Sequence, residues 1–294
     1  MIVRSKRASR NTMVRWLLAT LLSFSGLLVV GAQRTQDSSA FSFAIVADTQ
    51  IGMVRLERDR ENFARVVKAI NELKSGVRPS MAIIAGDLVD HAANQQELDS
   101  FIQVEKTFAI PVYSVPGNHD LAGDGKHFEP SLLDSYRKII GPDRFVVKQG
   151  GCLFVGLNSQ LWIEGASLAA EQFKWLEQQL RHRDQYRHVF IIQHHPLYLA
   201  AADEVDEYFN TPLGWRTRLL RLFEKARVTA VFTGHLHRNQ STTYHGIAMI
   251  TTPSSCRNFD GSAFGYAVVT VTDNGFSYQY RGVPGTLPDE RLAK

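Results

Sequence analysis

Five short stretches hold most of the side chains that could act together in chemistry: Asp48-Thr49-Gln50, Gly86-Asp87, Gly117-Asn118-His119-Asp120, His194-His195-Pro196 and Gly234-His235-Leu236-His237. Their carboxylate, amide and imidazole groups are ligands for Mn, Fe or Zn, and no thiolate is among them. Two such cations a few ångströms apart bind a phosphate through two of its oxygens. They also yield a bridging hydroxide at neutral pH, the means for in-line attack on phosphorus. Asp48/Gln50 and His235/His237 are i,i+2 pairs, which an extended backbone would turn to one side of the chain.

Each stretch follows a short apolar run rich in Val, Ile and Phe: residues 43–47, 81–85, 112–115, 189–192 and 228–232. The runs predict buried strands that deliver the polar groups at their C-terminal ends, the edge where open α/β sheets bind ligands. Residues 58–74 and 95–108 repeat apolar positions at helical spacing, and 131–140, 168–180 and 215–225 read as further helices. Alternating strand and helix argues parallel pairing with crossover helices. Residues 145–148 with 152–157, and 241–244 with 247–251, read as hairpins, and 266–271 and 276–280 as two last strands. Two sheets packed face to face, with helices outside, account for both halves. The Gly-rich loop 122–125 lacks a Walker pattern and reads as a flexible loop facing substrate.

At 294 residues, 44% apolar and 21% charged, the chain can build one large globular domain. Its start stands apart: Arg4, Lys6, Arg7, Arg10 and Arg15 precede an uncharged, mostly apolar run over 16–32 that ends in Val30-Gly31-Ala32. This pattern predicts an export signal cut after Ala32, giving a periplasmic or secreted protein. The alternative is an uncleaved membrane anchor over 16–32, and membrane contact is expected only through that segment. Five of the 33 Lys and Arg lie there, leaving 28 against 29 Asp and Glu, so no nucleic-acid surface is implied. Residues 33–40 read as a linker, 41–284 as one folded domain and 285–294 as a tail. Cys152 and Cys256 sit outside any ligand spacing and read as two buried single thiols.

The motifs, in this order, resemble the calcineurin-like metallophosphoesterase superfamily, whose pattern runs D-x-H, G-D, G-N-H, H and G-H-x-H. The D-x-Q opening, Leu157-Asn158-Ser159-Gln160, Tyr208-Phe209-Asn210 and residues 234–239 look like its calcineurin-like phosphoesterase domain-containing subfamily. The best-known eukaryotic member of that subfamily is regarded as a serine/threonine protein phosphatase. The resemblance implies a four-layer α/β/β/α sandwich of two mixed sheets and a dinuclear metal centre. Asp48, Gln50, Asp87 and His237 would hold one ion, and Asp87, Asn118, His194 and His235 the other, with Asp87 shared. His119 would protonate the leaving alkoxide as general acid, oriented by Asp90. The expected activity is hydrolysis of a phosphomonoester, carried by a small molecule or a phosphoprotein.

Arg238 and Arg257 are candidate forks for the remaining phosphate oxygens, or solvated side chains beside the site. His195, which an extended backbone would turn away from His194, has a substrate-side or a packing role. His91, His127, His182, His188 and His245 are expected in surface or loop positions. Gln50 departs from the family's usual His. Its harder, weaker amide oxygen implies looser binding of the first ion and favours Mn or Fe, with Zn still possible. Two other readings stay open: a phosphodiesterase on nucleotides or lipid headgroups, and a non-catalytic metal-binding protein.

Overall fold

The structure, a computed structural model, describes residues 40–76 and 78–286. The basic and apolar start, the linker up to residue 39 and the tail from residue 287 lie outside the described residues. In chain order the elements are β1 (Phe41–Val46), α1 (Leu56–Asn71), β2 (Ala82–Ala85), α2 (Gln95–Glu105), β3 (Val112–Val115), α3 (Pro130–Ile139), β4 (Phe145–Gln149) and β5 (Cys152–Gly156). They continue with α4 (Gln160–Glu164), α5 (Ala166–Leu180), β6 (His188–Ile192), α6 (Leu213–Lys225), β7 (Ala230–Thr233), β8 (Gln240–Tyr244), β9 (Ile247–Thr251), β10 (Gly265–Thr272) and β11 (Gly275–Gly282).

The strands form two sheets, ordered β11-β10-β1-β2-β3 and β4-β5-β6-β7-β9-β8. In the first, β1, β2 and β3 run parallel and β10 joins β1 antiparallel. In the second, β5, β6, β7 and β9 run parallel, with antiparallel β4 and β8 at the edges. Both sheets are therefore mixed.

Side-chain alternation explains the layering. Phe43, Ile45, Ile83, Phe154, Phe190 and Phe232 share one core between the sheets. Their neighbours Ala44, Val46, Ile84 and Val189 pack instead with the helix residues Phe63, Phe101, Leu176 and Leu219. A strand buried on both faces needs a continuous apolar run, and such runs precede each motif. The result is the four-layer α/β/β/α sandwich expected from the sequence. Phe43 lies 4.9, 5.6 and 5.8 Å from the rings of Phe154, Phe190 and Phe232. Phe43→Ala is therefore expected to destabilise the fold by about 3–5 kcal/mol. Urea unfolding should show a lower midpoint at unchanged slope.

Some boundaries differ from expectation. β1 ends at Val46, because Asp48 takes a left-handed backbone, φ 48°. α2 stops at Glu105, where Thr107 donates its hydroxyl to Val104 O (2.6 Å) and Asn71 accepts from Ala109 N (2.9 Å). The helix α4 is absent from the predicted set, since five residues are too few to show a period. His188, expected at the surface, is buried at the start of β6 and bonds through Nε2 to Thr272 O at 2.9 Å. Cys152 and Cys256 are buried free thiols. No helix among the described residues is long and apolar enough to cross a membrane.

Candidate binuclear metal site

The loops that follow β1, β2, β3, β6 and β7 meet at one place, and they are laced together by backbone. Asp48 N donates to Gly86 O (3.1 Å), Gln50 N to Asp87 O (2.8 Å) and Gly234 N to His194 O (3.1 Å). The approach is close enough to exclude any side chain at two motif glycines. A Cβ on Gly117 would fall 2.0 Å from Asp87 Oδ1, and one on Gly234 2.5 Å from Asp48 Oδ2.

The i,i+2 pairs do not converge by strand alternation. Asp48, Gln50, Asp87, His235 and His237 all have left-handed φ, between 36° and 70°. Each such residue costs about 1–2 kcal/mol. Only two other non-glycine residues with positive φ occur among the described residues, Arg227 and His245. Concentrated strain of this kind marks sites where geometry is over-determined by surrounding bonds. Here Asp48 supplies one such bond set, accepting from His235 N at 3.0 and 3.1 Å through its two oxygens.

Every imidazole in the nest is held from behind by a carbonyl. His194 Nδ1 donates to Ala85 O (2.8 Å), His235 Nε2 to Tyr208 O (3.1 Å) and His237 Nδ1 to Arg257 O (2.6 Å). A carbonyl only accepts, so each of these outer nitrogens carries a proton and the inner nitrogen is the one that a neutral ring offers to a metal. The amides behave alike. Asn118 spends Nδ2 on Gly125 O (2.7 Å) and the Tyr208 hydroxyl (3.0 Å), and Gln50 spends Nε2 on Asp90 Oδ1 (2.9 Å). Gln50 Oε1 is left buried with no hydrogen-bond partner.

These inward acceptors crowd one another. His194 Nε2 faces Asn118 Oδ1 at 3.1 Å, Asp87 Oδ2 at 3.2 Å and His235 Nδ1 at 3.2 Å. His237 Nε2 lies 3.4 Å from Asp48 Oδ1. Two trios have their ligand atoms within 4.8 Å of one another: Asp87, His194 and His235, and Asp48, Asp87 and His237. Asp87 belongs to both, as a bridging carboxylate would. The orphaned Gln50 oxygen and the facing lone pairs fit a pair of cations.

The electrostatics agree. Burial opposes charge on His194, yet Asp87 beside it pushes the imidazole up to about 9. Burial and then His194 push His235 down to about 3. Two imidazolium ions cannot face each other here, so one proton stands where cations would satisfy the whole nest. Asp87 is held well below the usual carboxylate range: burial works against this, and the charges of His194 and His119 outweigh it.

His119 sits beside this nest. Its backbone N–H donates to Asp87 Oδ1 (3.0 Å), and its ring Nδ1 donates to the Asp90 backbone carbonyl (3.0 Å). The Asp90 carboxylate lies 3.4 Å from the same Nδ1, and the backbone carbonyl makes the tighter contact. Burial lowers the pKa of His119, but Asp87, the Asp90 carbonyl and the Asp90 and Asp120 carboxylates raise it overall.

The other candidates divide. His195 is buried, shares a hydrogen bond of 2.9 Å between its Nδ1 and the Ser159 hydroxyl and lies 4.3 Å from the His235 ring. Arg257 serves His237 through its carbonyl, while its guanidinium lies over Phe259. Arg238 keeps a buried Nε without a hydrogen-bond partner.

Two contributors were not assigned roles from the sequence. Asp120 ties the loops after β2 and β3 together by accepting from Gly117 N (2.8 Å) and Leu88 N (2.9 Å). Tyr208 touches Asn118 with its hydroxyl and His235 with its carbonyl. Only the polar company of Asp120 in its motif hinted at a role for it; Tyr208 lies 90 residues from Asn118. Tyr208→Phe removes an outer partner of Asn118 and keeps the carbonyl. It is expected to weaken Mn binding at one of two sites by about tenfold, read by calorimetric titration.

Two stacked mixed sheets with this nest at one edge define a binuclear metallohydrolase. The chain belongs to the calcineurin-like phosphoesterase family, whose description matches residues 41–239. It is a metal-dependent phosphoric ester hydrolase. A similar curated protein is Serine/threonine-protein phosphatase CPPED1 of Danio rerio, 32% identical over 271 residues, covering 84% of this chain and 86% of that one. A probable glycerophosphodiester phosphodiesterase GpdQ of Arcobacter nitrofigilis is 32% identical over 190 residues, covering 63% of this chain and 66% of that one. In fold, a dimetal phosphatase from Danio rerio superposes with a TM-score of 0.63 at 16% identity, covering 82% of this chain and 96% of that chain.

Proposed function

We propose that the protein is a dinuclear-metal phosphomonoesterase acting on phosphorylated protein side chains. The observation that carries this reading is the inward turn of every ligand lone pair beside a protonatable His119. Asp48, Gln50, Asp87 and His237 would hold one ion, and Asp87, Asn118, His194 and His235 the other. Bound there, the two cations supply phosphoryl polarisation and ionise water at neutral pH. The chain's own part is orientation and proton supply. Carbonyls fix the tautomer of each imidazole, the Asp90 carbonyl fixes Nδ1–H on His119, and His119 Nε2 is left to give a proton to the leaving oxygen. Arg238 and Arg257 are the candidate donors for the remaining phosphate oxygens. Gln50, an amide where imidazole is usual, tilts the preference to Mn or Fe.

The test compares p-nitrophenyl phosphate with its bis-aryl diester, with Mn, Fe, Zn or chelator. Metal-dependent turnover of the monoester alone supports the proposal. Preference for the diester favours the phosphodiesterase reading, which the similarity to the diesterase-named relative supports. Metal-loaded protein with neither activity would leave a binding role.

Residues 1–32, basic and then apolar, support export. N-terminal sequencing of protein recovered outside the cytoplasm should begin near Gln33. A start at Met1 in the membrane fraction would make the segment an anchor.

A further inference from the structure

Among the described residues, the large apolar side chains that stand exposed are Val205 (72%), Tyr208 (45%), Phe209 (46%), Leu213 (40%) and Phe259 (61%). Three of them lie against the candidate site. The Tyr208 and Phe209 rings lie 4.9 and 5.9 Å from His235, and Phe259 stacks on His237 at 5.2 Å. Val205 and Leu213 belong to the same segment as Tyr208 and Phe209. A cluster of exposed apolar side chains at a functional centre marks an interaction surface.

That segment is firmly built. The Glu204 carboxylate accepts from Leu199 N, Ala200 N and Ala201 N at 2.7–3.0 Å and from Asn210 Nδ2 at 2.7 Å. The buried Arg216 donates to Glu204 O (2.8 Å) and to Asp206 Oδ1 (3.2 Å). The backbone is thus pinned from inside while apolar tips point to water. Next to it lies a cleft of about 360 Å³, lined in part by Asn118, Lys126, Gln160, His195, Glu207 and Tyr208. That volume is at the small end of ligand sites, room for one or two side chains. Asp203, Glu204, Asp206 and Glu207 make the segment acidic. An anionic membrane is repelled by this sign, and basic side chains are attracted.

We propose that this rim docks an extended phosphopeptide. The phosphorylated side chain enters the cleft beside Asn118, an apolar residue flanking it packs on Val205 and Leu213, and a basic one faces Asp203 and Glu207. The proposal rests on the phosphomonoesterase reading and adds which residues flank the phosphorylated one.

The test measures binding by fluorescence anisotropy, using peptides that carry a non-hydrolysable phosphonate. One peptide has apolar and basic flanks, the other Gly and Ser flanks. p-Nitrophenyl phosphate turnover is followed in parallel. The first peptide is expected to bind at least about tenfold tighter, as burial of one apolar side chain would give. The double variant V205S/L213S should lose that difference with p-nitrophenyl phosphate turnover unchanged. Equal binding of the two peptides overturns the proposal. So does a joint loss of peptide binding and small-substrate turnover, which would make the segment merely structural. Variant-sensitive binding to phosphatidylglycerol vesicles, with the peptides bound equally, overturns it in favour of a membrane. Selective peptide binding without any turnover would sink the catalytic reading and uphold the docking surface.

Discussion

Asp87→Ala is expected to empty both metal positions at once. Metal analysis of the purified variant should fall from about two ions per chain towards none, while Asp48→Ala should retain about one. The reason lies in sharing: Asp87 is common to both ligand trios, whereas Asp48 belongs to one. Asp87 also accepts from His119 N at 3.0 Å, so its loss loosens the candidate acid as well. Partners one shell outside a metal cost about 10–100-fold when lost, so a shared ligand should cost more than about 10²-fold in turnover. Circular dichroism separates this outcome from unfolding, because the inter-sheet core does not depend on Asp87. An Asp87→Ala protein that keeps two ions would overturn the shared-ligand arrangement.

The sequence announced the site better than it announced how the site is held. Asp48, Asp87, Asn118, His194, His235 and His237 were legible because each follows an apolar run that only a strand buried on both faces requires. The layering of two sheets with helices outside was legible from the succession of strands and helices, whereas the order of strands within each sheet was not. What stayed hidden is long-range and backbone-borne. Extended spacing suggested that Asp48 and Gln50 share a face, but left-handed turns bring them in. Periodicity does not report a positive φ at Asp, Gln or His. The carbonyls of Ala85, Tyr208 and Arg257 that fix the imidazoles carry no side-chain signature at all. His188 was misplaced for a related reason: its partner, Thr272 O, is 84 residues away on β10.

His119→Ala is expected to reveal its role by leaving group more than by overall rate. A general acid contributes about 10²–10⁴-fold, most where the departing oxygen most needs a proton. The loss should therefore be about 10²-fold on p-nitrophenyl phosphate, a good leaving group, and approach about 10⁴-fold on a phosphoserine peptide. The sign of the pH dependence follows from geometry. Asp87, the Asp90 carbonyl and the Asp90 and Asp120 carboxylates raise the pKa of His119 against burial, so the ring stays protonated above the usual imidazole range. Activity should fall as pH rises through that raised value, giving an alkaline limb that His119→Ala abolishes. Cations on Asp87 would weaken its pull on His119, which leaves Asp90 a larger share in the loaded enzyme. Asp90→Asn keeps the carbonyl contact at 3.0 Å but removes the carboxylate 3.4 Å from Nδ1, so the alkaline limb should move to lower pH without disappearing. Equal losses on aryl and alkyl phosphates, with an unmoved limb in Asp90→Asn, would leave His119 as a phosphate-binding residue and assign the proton to water.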